Sequence, residues 1–181
     1  MLFSARYTQT RGTDVRSIAE AQTVLDSKRE LIDTSFGGLA FTGEDLSARS
    51  FHTTSFSRAT LLDCRFDGSV FDLCFFDFAR LRNTSFLNCH FENCVFACSD
   101  IADCDFTNSE LIQCSFNGAA LISVKLNDSD LFRSTFISTV MKDVGLRNCN
   151  LKNANFSGSQ REDVVFRYSN DEEATFSVEE G

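Results

Sequence analysis

A chain of 181 residues can bury one substantial core, and a net charge of −9 with a pI near 4.7 argues against a basic nucleic-acid or membrane-surface binder. The first residues contain no apolar run that fits a secretory signal, and no run of eighteen apolar residues exists to span a membrane. A cytoplasmic location, with the eight cysteines reduced, is the expectation.

In chain order, residues 1–12 are polar and expected to be loose. Residues 14–30, DVRSIAEAQTVLDSKRE, read as an amphipathic helix with Val15, Ile18, Ala21 and Leu25 on one face. Ser17 and Glu20 have the spacing of a capping box near its start.

From Leu31 a repeat takes over. Stepping by five from Leu31 to Phe176 samples thirty positions, and only Arg161 and Asp171 are not large and apolar. Two residues before each such site, from Thr54 to Val164, every residue is small. Two residues after it, Gly, Asn and Asp dominate, the types that tolerate turns and positive φ. A period of five fits neither a helix nor a strand, but it fits a chain that turns a corner every five residues. Stepping by twenty from Phe36 reaches Phe56, Phe76, Phe96, Phe116, Phe136, Phe156 and Phe176, so four sides close one coil. At the usual inter-strand spacing, seven such coils make a rod roughly 34 Å tall.

The pattern of small residue, any, Phe or Leu, any, then Gly, Asn or Asp over residues 31–178 resembles the pentapeptide-repeat proteins. That resemblance implies an all-β solenoid, a right-handed quadrilateral β-helix of about seven 20-residue coils with an N-terminal capping α-helix. The expected division is 1–30, tail and capping helix; 31–178, β-helix; and 179–181, a C-terminal tail.

The segment NCHFENCVFACSDIADCDF, with Cys89, His90, Cys94, Cys98 and Cys104, contains metal-ligand types at close spacing. The repeat gives it another meaning. Cys64, Cys74, Cys89, Cys94, Cys104, Cys114 and Cys149 all occupy the small inward site, where cysteine acts as a small hydrophobe. Cys98 alone sits at a turn and is expected to be exposed. His52 and His90 fall at outward sites. No metal or cofactor is expected.

Between Arg82 and Lys125 there is no Lys or Arg, while Glu92, Asp100, Asp103, Asp105 and Glu110 fall in that window. These five are the first candidates for a partner-binding surface, a negative middle section of the rod. Phe75, Phe78, Ile112 and Phe132 lie out of the inward register and form the alternative, an apolar patch. Near the C-terminus Arg161 and Asp171 interrupt the ladder, and a homodimer through the last coil is a further expectation. No phosphate loop or HExxH motif is present, so a non-catalytic binding protein is expected.

The family resemblance implies one specific role. Several pentapeptide-repeat proteins, including those giving quinolone resistance, bind DNA gyrase or topoisomerase IV, both type II topoisomerases, as acidic mimics of duplex DNA. A chain of this kind would bind a protein, and would not bind nucleic acid or membrane directly. The alternative is a protein-interaction scaffold, such as a bacterial effector or immunity protein, that uses the apolar patch.

Overall fold

The computed structural model describes residues 12–177, and the expectations for residues 1–11 and 178–181 lie outside that range. The chain forms a parallel β-solenoid of about eight turns with one short helix near its N-terminus. Residues twenty apart are hydrogen-bonded neighbours throughout, as in the registers Phe51↔Phe71 and Ile101↔Leu121.

The corners explain how the period arises. All 29 corner positions from Asp33 to Glu173, five of them Gly, have φ between +47° and +72°. L-residues visit this left-handed region at a cost, and Asn, Asp and Gly pay least. Side-chain ladders run along the corners: Asn108 Nδ2 donates to Asn88 Oδ1 at 2.6 Å, and Asn83 Nδ2 to Asp63 Oδ1 at 2.7 Å.

Each coil has four sides, named here by the inward residues of the coil that begins at Phe91. The Phe91 face carries a five-stranded parallel sheet from Glu30–Ile32 to Glu110–Ile112. The Ile101 face carries a seven-stranded sheet from Ala40–Thr42 to Gln160–Val165. The Phe96 and Phe106 faces are joined mainly by single bridges such as Val95↔Ser115 and Asp105↔Lys125.

The core is a stack of rings. In the Phe96 column each phenylalanine lies 4.7–5.3 Å from the next, from Phe36 to Phe176. Burying each such ring stabilises the fold by about 1.5–3 kcal/mol relative to leaving it in water.

The helix α1 spans Ile18–Ser27, shorter than the 14–30 read from the sequence. Thr13–Asp14 is instead a short strand, β1, paired in parallel with Thr34–Ser35, and this pairing carries Val15 into the core in extended conformation. Ser17 is the N-cap: its Oγ accepts from Glu20 N at 3.2 Å. Glu20 Oε2 accepts from Arg16 N at 3.0 Å, so the reciprocal half of the box reaches one residue beyond the N-cap. Ala21 and Leu25 are buried in the core cluster and cover the first coil.

Arg49 occupies a small-residue site in that first coil. Its Nη1 donates to the carbonyls of Leu25 at 2.5 Å and Lys28 at 2.8 Å, satisfying oxygens that the end of α1 leaves unpaired. Burial, together with the nearby Arg29, lowers its pKa. At the other end Arg161 stands in register with Met141. Its guanidinium lies 5.5 Å from the Phe176 ring, and Nη2 donates to Phe176 O at 3.3 Å.

Candidate functional site

The seven inward cysteines are accounted for by backbone geometry. In one column Ser69, Cys89, Ser109, Ser129, Cys149 and Ser169 each donate to the carbonyl of the inward residue 23 positions earlier, at 2.6–3.1 Å. A thiol therefore replaces a hydroxyl in an otherwise identical role. Burial pushes the Cys89 and Cys104 thiols up to about 12, which holds them protonated and far from metal-ligand chemistry. Cys74, Cys94 and Cys114 stack in the small-residue column of the Phe96 face; all eight cysteines are free, and Cys98 is the exposed one. Among the described residues no group of three or more His, Cys, Asp and Glu is arranged to hold a metal ion.

The five acidic candidates do not form one surface. Stacking places each residue beside those twenty positions away, which a linear charge window does not register. Asp100, on the Ile101 face, is bonded by Arg82 Nη2 and lies 3.9 Å from Arg80 Nε. Asp105, on the Phe106 face, accepts from Lys125 Nζ at 3.2 Å and from Thr107 N at 3.0 Å. Burial alone would raise the Asp105 pKa, but the bonds from Thr107 and the Lys125 ammonium outweigh it and hold the carboxyl below its ordinary value. Asp103 sits at the corner between these two faces, with Asp143 and Asp163 further along the same corner. The continuous negative belt is thus interrupted by Arg80, Arg82 and Lys125, each contributed from just outside the cation-free window.

Glu92 and Glu110 have a different setting. They lie on the Phe91 face together with Glu30, Asp72 and Asp130, and no outward position on that face from Glu30 to Phe132 holds a Lys or Arg. Among the described residues, Glu30, Asp72, Glu92 and Glu110 have only histidines as charge partners. His90 Nδ1 lies 2.6 Å from Glu110 Oε2 and its Nε2 lies 3.9 Å from Glu92. His52 lies 3.8 Å from Glu30 and 3.7 Å from Asp72. Among the described residues, the carboxylates Glu30, Asp72, Glu92 and Glu110 of the Phe91 face therefore have no Lys or Arg partner. Glu30, Asp72 and Asp130 were missed in the sequence because they fall outside the window; the available signal was the offset within the twenty-residue period, ten for Glu30 and Asp130 as for Glu110, and twelve for Asp72 as for Glu92.

The apolar candidates also divide. Ile112 and Phe132 are neighbours on the Phe91 face, where Arg133 covers Phe132 at 5.0 Å. Phe75 and Phe78 belong to the Phe96 face, where Leu73 joins them; the three are 42%, 53% and 46% exposed. No helix among the described residues is long and apolar enough to cross a membrane.

Two family models match: the pentapeptide repeat region over residues 99–176 and pentapeptide repeats over residues 74–111. No curated protein matches significantly. Among solved structures, the chain is similar to a trypsin-treated variant of QnrB1, a plasmid-mediated fluoroquinolone resistance protein. The two are 17% identical, with 80% of each chain covered and a TM-score of 0.58. A second trypsin-treated QnrB1 variant matches at 18% identity, with 81% of each chain covered and a TM-score of 0.50. At these identities the likeness is one of fold. The repeat register, the left-handed corners and the two family matches agree: the chain belongs to the pentapeptide-repeat family.

Proposed function

We propose that this chain is a non-catalytic cytosolic binding protein whose Phe91 face imitates the charge of a nucleic-acid duplex toward a protein partner, a type II topoisomerase such as DNA gyrase. The observation that carries this reading is the ladder of Glu30, Asp72, Glu92, Glu110 and Asp130 on one stiff face, with no lysine or arginine paired to Glu30, Asp72, Glu92 or Glu110. Coils rise by about 4.8 Å, the same order as the 3.4 Å between phosphates along one DNA strand. A groove built to hold phosphates presents Lys and Arg, and carboxylates fixed on a rigid rod meet them with little ordering cost. The fold likeness to QnrB1 supports the choice of partner class.

A supercoiling assay with purified gyrase tests the reading, together with direct binding at rising salt. Inhibition, or protection against a quinolone, is expected at micromolar protein. Affinity should fall as the screening length shrinks from about 10 Å at 0.1 M salt to about 3 Å at 1 M. Supercoiling and quinolone action both untouched at micromolar protein would remove the reading.

A further inference from the structure

The Phe96 face differs from the rest of the rod. Its outward positions from Ser35 to Ser157 are Ser, Gly, Thr, Asn, Ala, Val, Ile and Phe, and the single charged residue among them is Asp77. Asp77 is bonded within the face by Ser57 Oγ at 2.5 Å. On a chain of net charge −9, this is the side with the fewest charged groups, and a second copy can approach it without meeting unpaired carboxylates.

A second, independent feature lies in the middle of that face. Leu73 and Phe78 occupy the corners at its two edges, with φ of +52° and +56°. Bulky residues in the left-handed region cost free energy that Asn or Gly would avoid. Neither side chain is repaid by burial, since both stay about half exposed, and Phe75 stands exposed between them. Arg58, over the Phe78 ring at 5.0 Å, covers only that corner. Solvent gives no reason to keep three large apolar side chains there, two of them strained.

We infer that the Phe96 face is a self-association surface and that its occupant is a second copy of this chain, packed face to face about a two-fold axis that lies in the interface, parallel to the rod axis, near Phe75. The symmetry makes the patch self-complementary. Because Leu73 and Phe78 sit at opposite edges of one coil side, the axis lays Leu73 of one copy on the partner's Phe78 and sets the two Phe75 rings side by side. The flanking coils then meet through small uncharged residues such as Ser55 and Val95. Such a dimer leaves both acidic Phe91 faces uncovered, so it stands independently of any topoisomerase partner.

Sedimentation velocity of the full chain tests the inference, and a dimer is expected at micromolar protein. The triple variant Leu73→Asn, Phe75→Ser, Phe78→Asn should be monomeric with a melting temperature no lower than wild type. Asparagine suits both corners, so loss of the dimer would not reflect misfolding. In a Cys98→Ser background, Leu73→Cys protein mixed with Phe78→Cys protein should form a disulfide-linked heterodimer under mild oxidation. A wild-type chain that stays monomeric up to ~100 µM, beyond the range of a specific interface, overturns the inference. So does a dimer that survives the triple substitution, which would place the contact elsewhere, at the last coil for example.

Discussion

The rings of Phe96 and Phe116, twenty residues apart, lie 4.7 Å from centroid to centroid and within 3° of parallel. Phe76 stacks on the other side of Phe96 at 4.7 Å, and Phe91 and Phe106 meet it edge-on. Phe96→Ala should therefore cost about 3–5 kcal/mol in denaturant melts, through the cavity it leaves between two stacked rings. Phe75→Ser, on the outward side of the same face, should cost far less. Equal losses at the two positions would contradict the inward register.

Lys125 and Asp105 supply a test of the charge arrangement. A carboxyl whose folded pKa is lowered stabilises the fold above its unfolded value of about 4 and loses that contribution as pH falls through the folded value. Lys125→Met should raise the Asp105 pKa toward the ordinary range, as read by carboxyl NMR, while the Thr107 bonds keep part of the depression. The pair is at the surface, so the loss of stability near neutral pH should stay under about 1 kcal/mol. An unchanged Asp105 titration would contradict the pairing.

Thiol chemistry should divide one to seven. Cys98 is the exposed cysteine, and the other seven are buried. Ellman's reagent should label one thiol in the native protein and all eight in denaturant, and Cys98→Ser should abolish the native reaction. Cys89→Ser should be tolerated to within about 1 kcal/mol, because a hydroxyl restores the donor to the Phe66 carbonyl. Several fast-reacting thiols in the folded chain would refute this assignment.

Arg161 is the charged residue that occupies the apolar register of the Ile101 face. Among the described residues its Nη1 is buried without a hydrogen-bond partner. Arg161→Leu should leave the melting temperature unchanged or raise it, because an uncompensated buried polar group is exchanged for an apolar side chain in the same column. A loss above ~1 kcal/mol would show that the contact with Phe176 anchors the last coil.

The fold was legible because a solenoid writes its core into the sequence at a fixed interval. Phe36 through Phe176 state the coil length directly, and the Gly, Asn and Asp two residues beyond each inward site mark the corners. The β1 pairing was not legible: Thr13–Asp14 carries no repeat signal, and its parallel partner at Thr34–Ser35 is set by geometry. Arg49 was equally hidden, since its role depends on where the end of α1 falls. The acidic site was read only in part, because charge was followed along the chain. Asp100 meets Arg82 and Asp105 meets Lys125 only once the coils are stacked, whereas Glu92 gains Asp72 and Glu110 gains Asp130 as neighbours on one face by the same operation.

Stacking of the coils therefore separates two sets of carboxylates that lie together in the linear sequence. The decisive measurement is gyrase affinity for two variants of matched charge change. The first is Glu92→Gln with Glu110→Gln, on the Phe91 face; the second is Asp100→Asn with Asp105→Asn, whose carboxylates are already paired to Arg82 and Lys125. The first variant should bind more weakly and associate more slowly, while the second should bind as wild type does. Equal weakening in both variants, or wild-type affinity in the first, would contradict the proposed role of the Phe91 face.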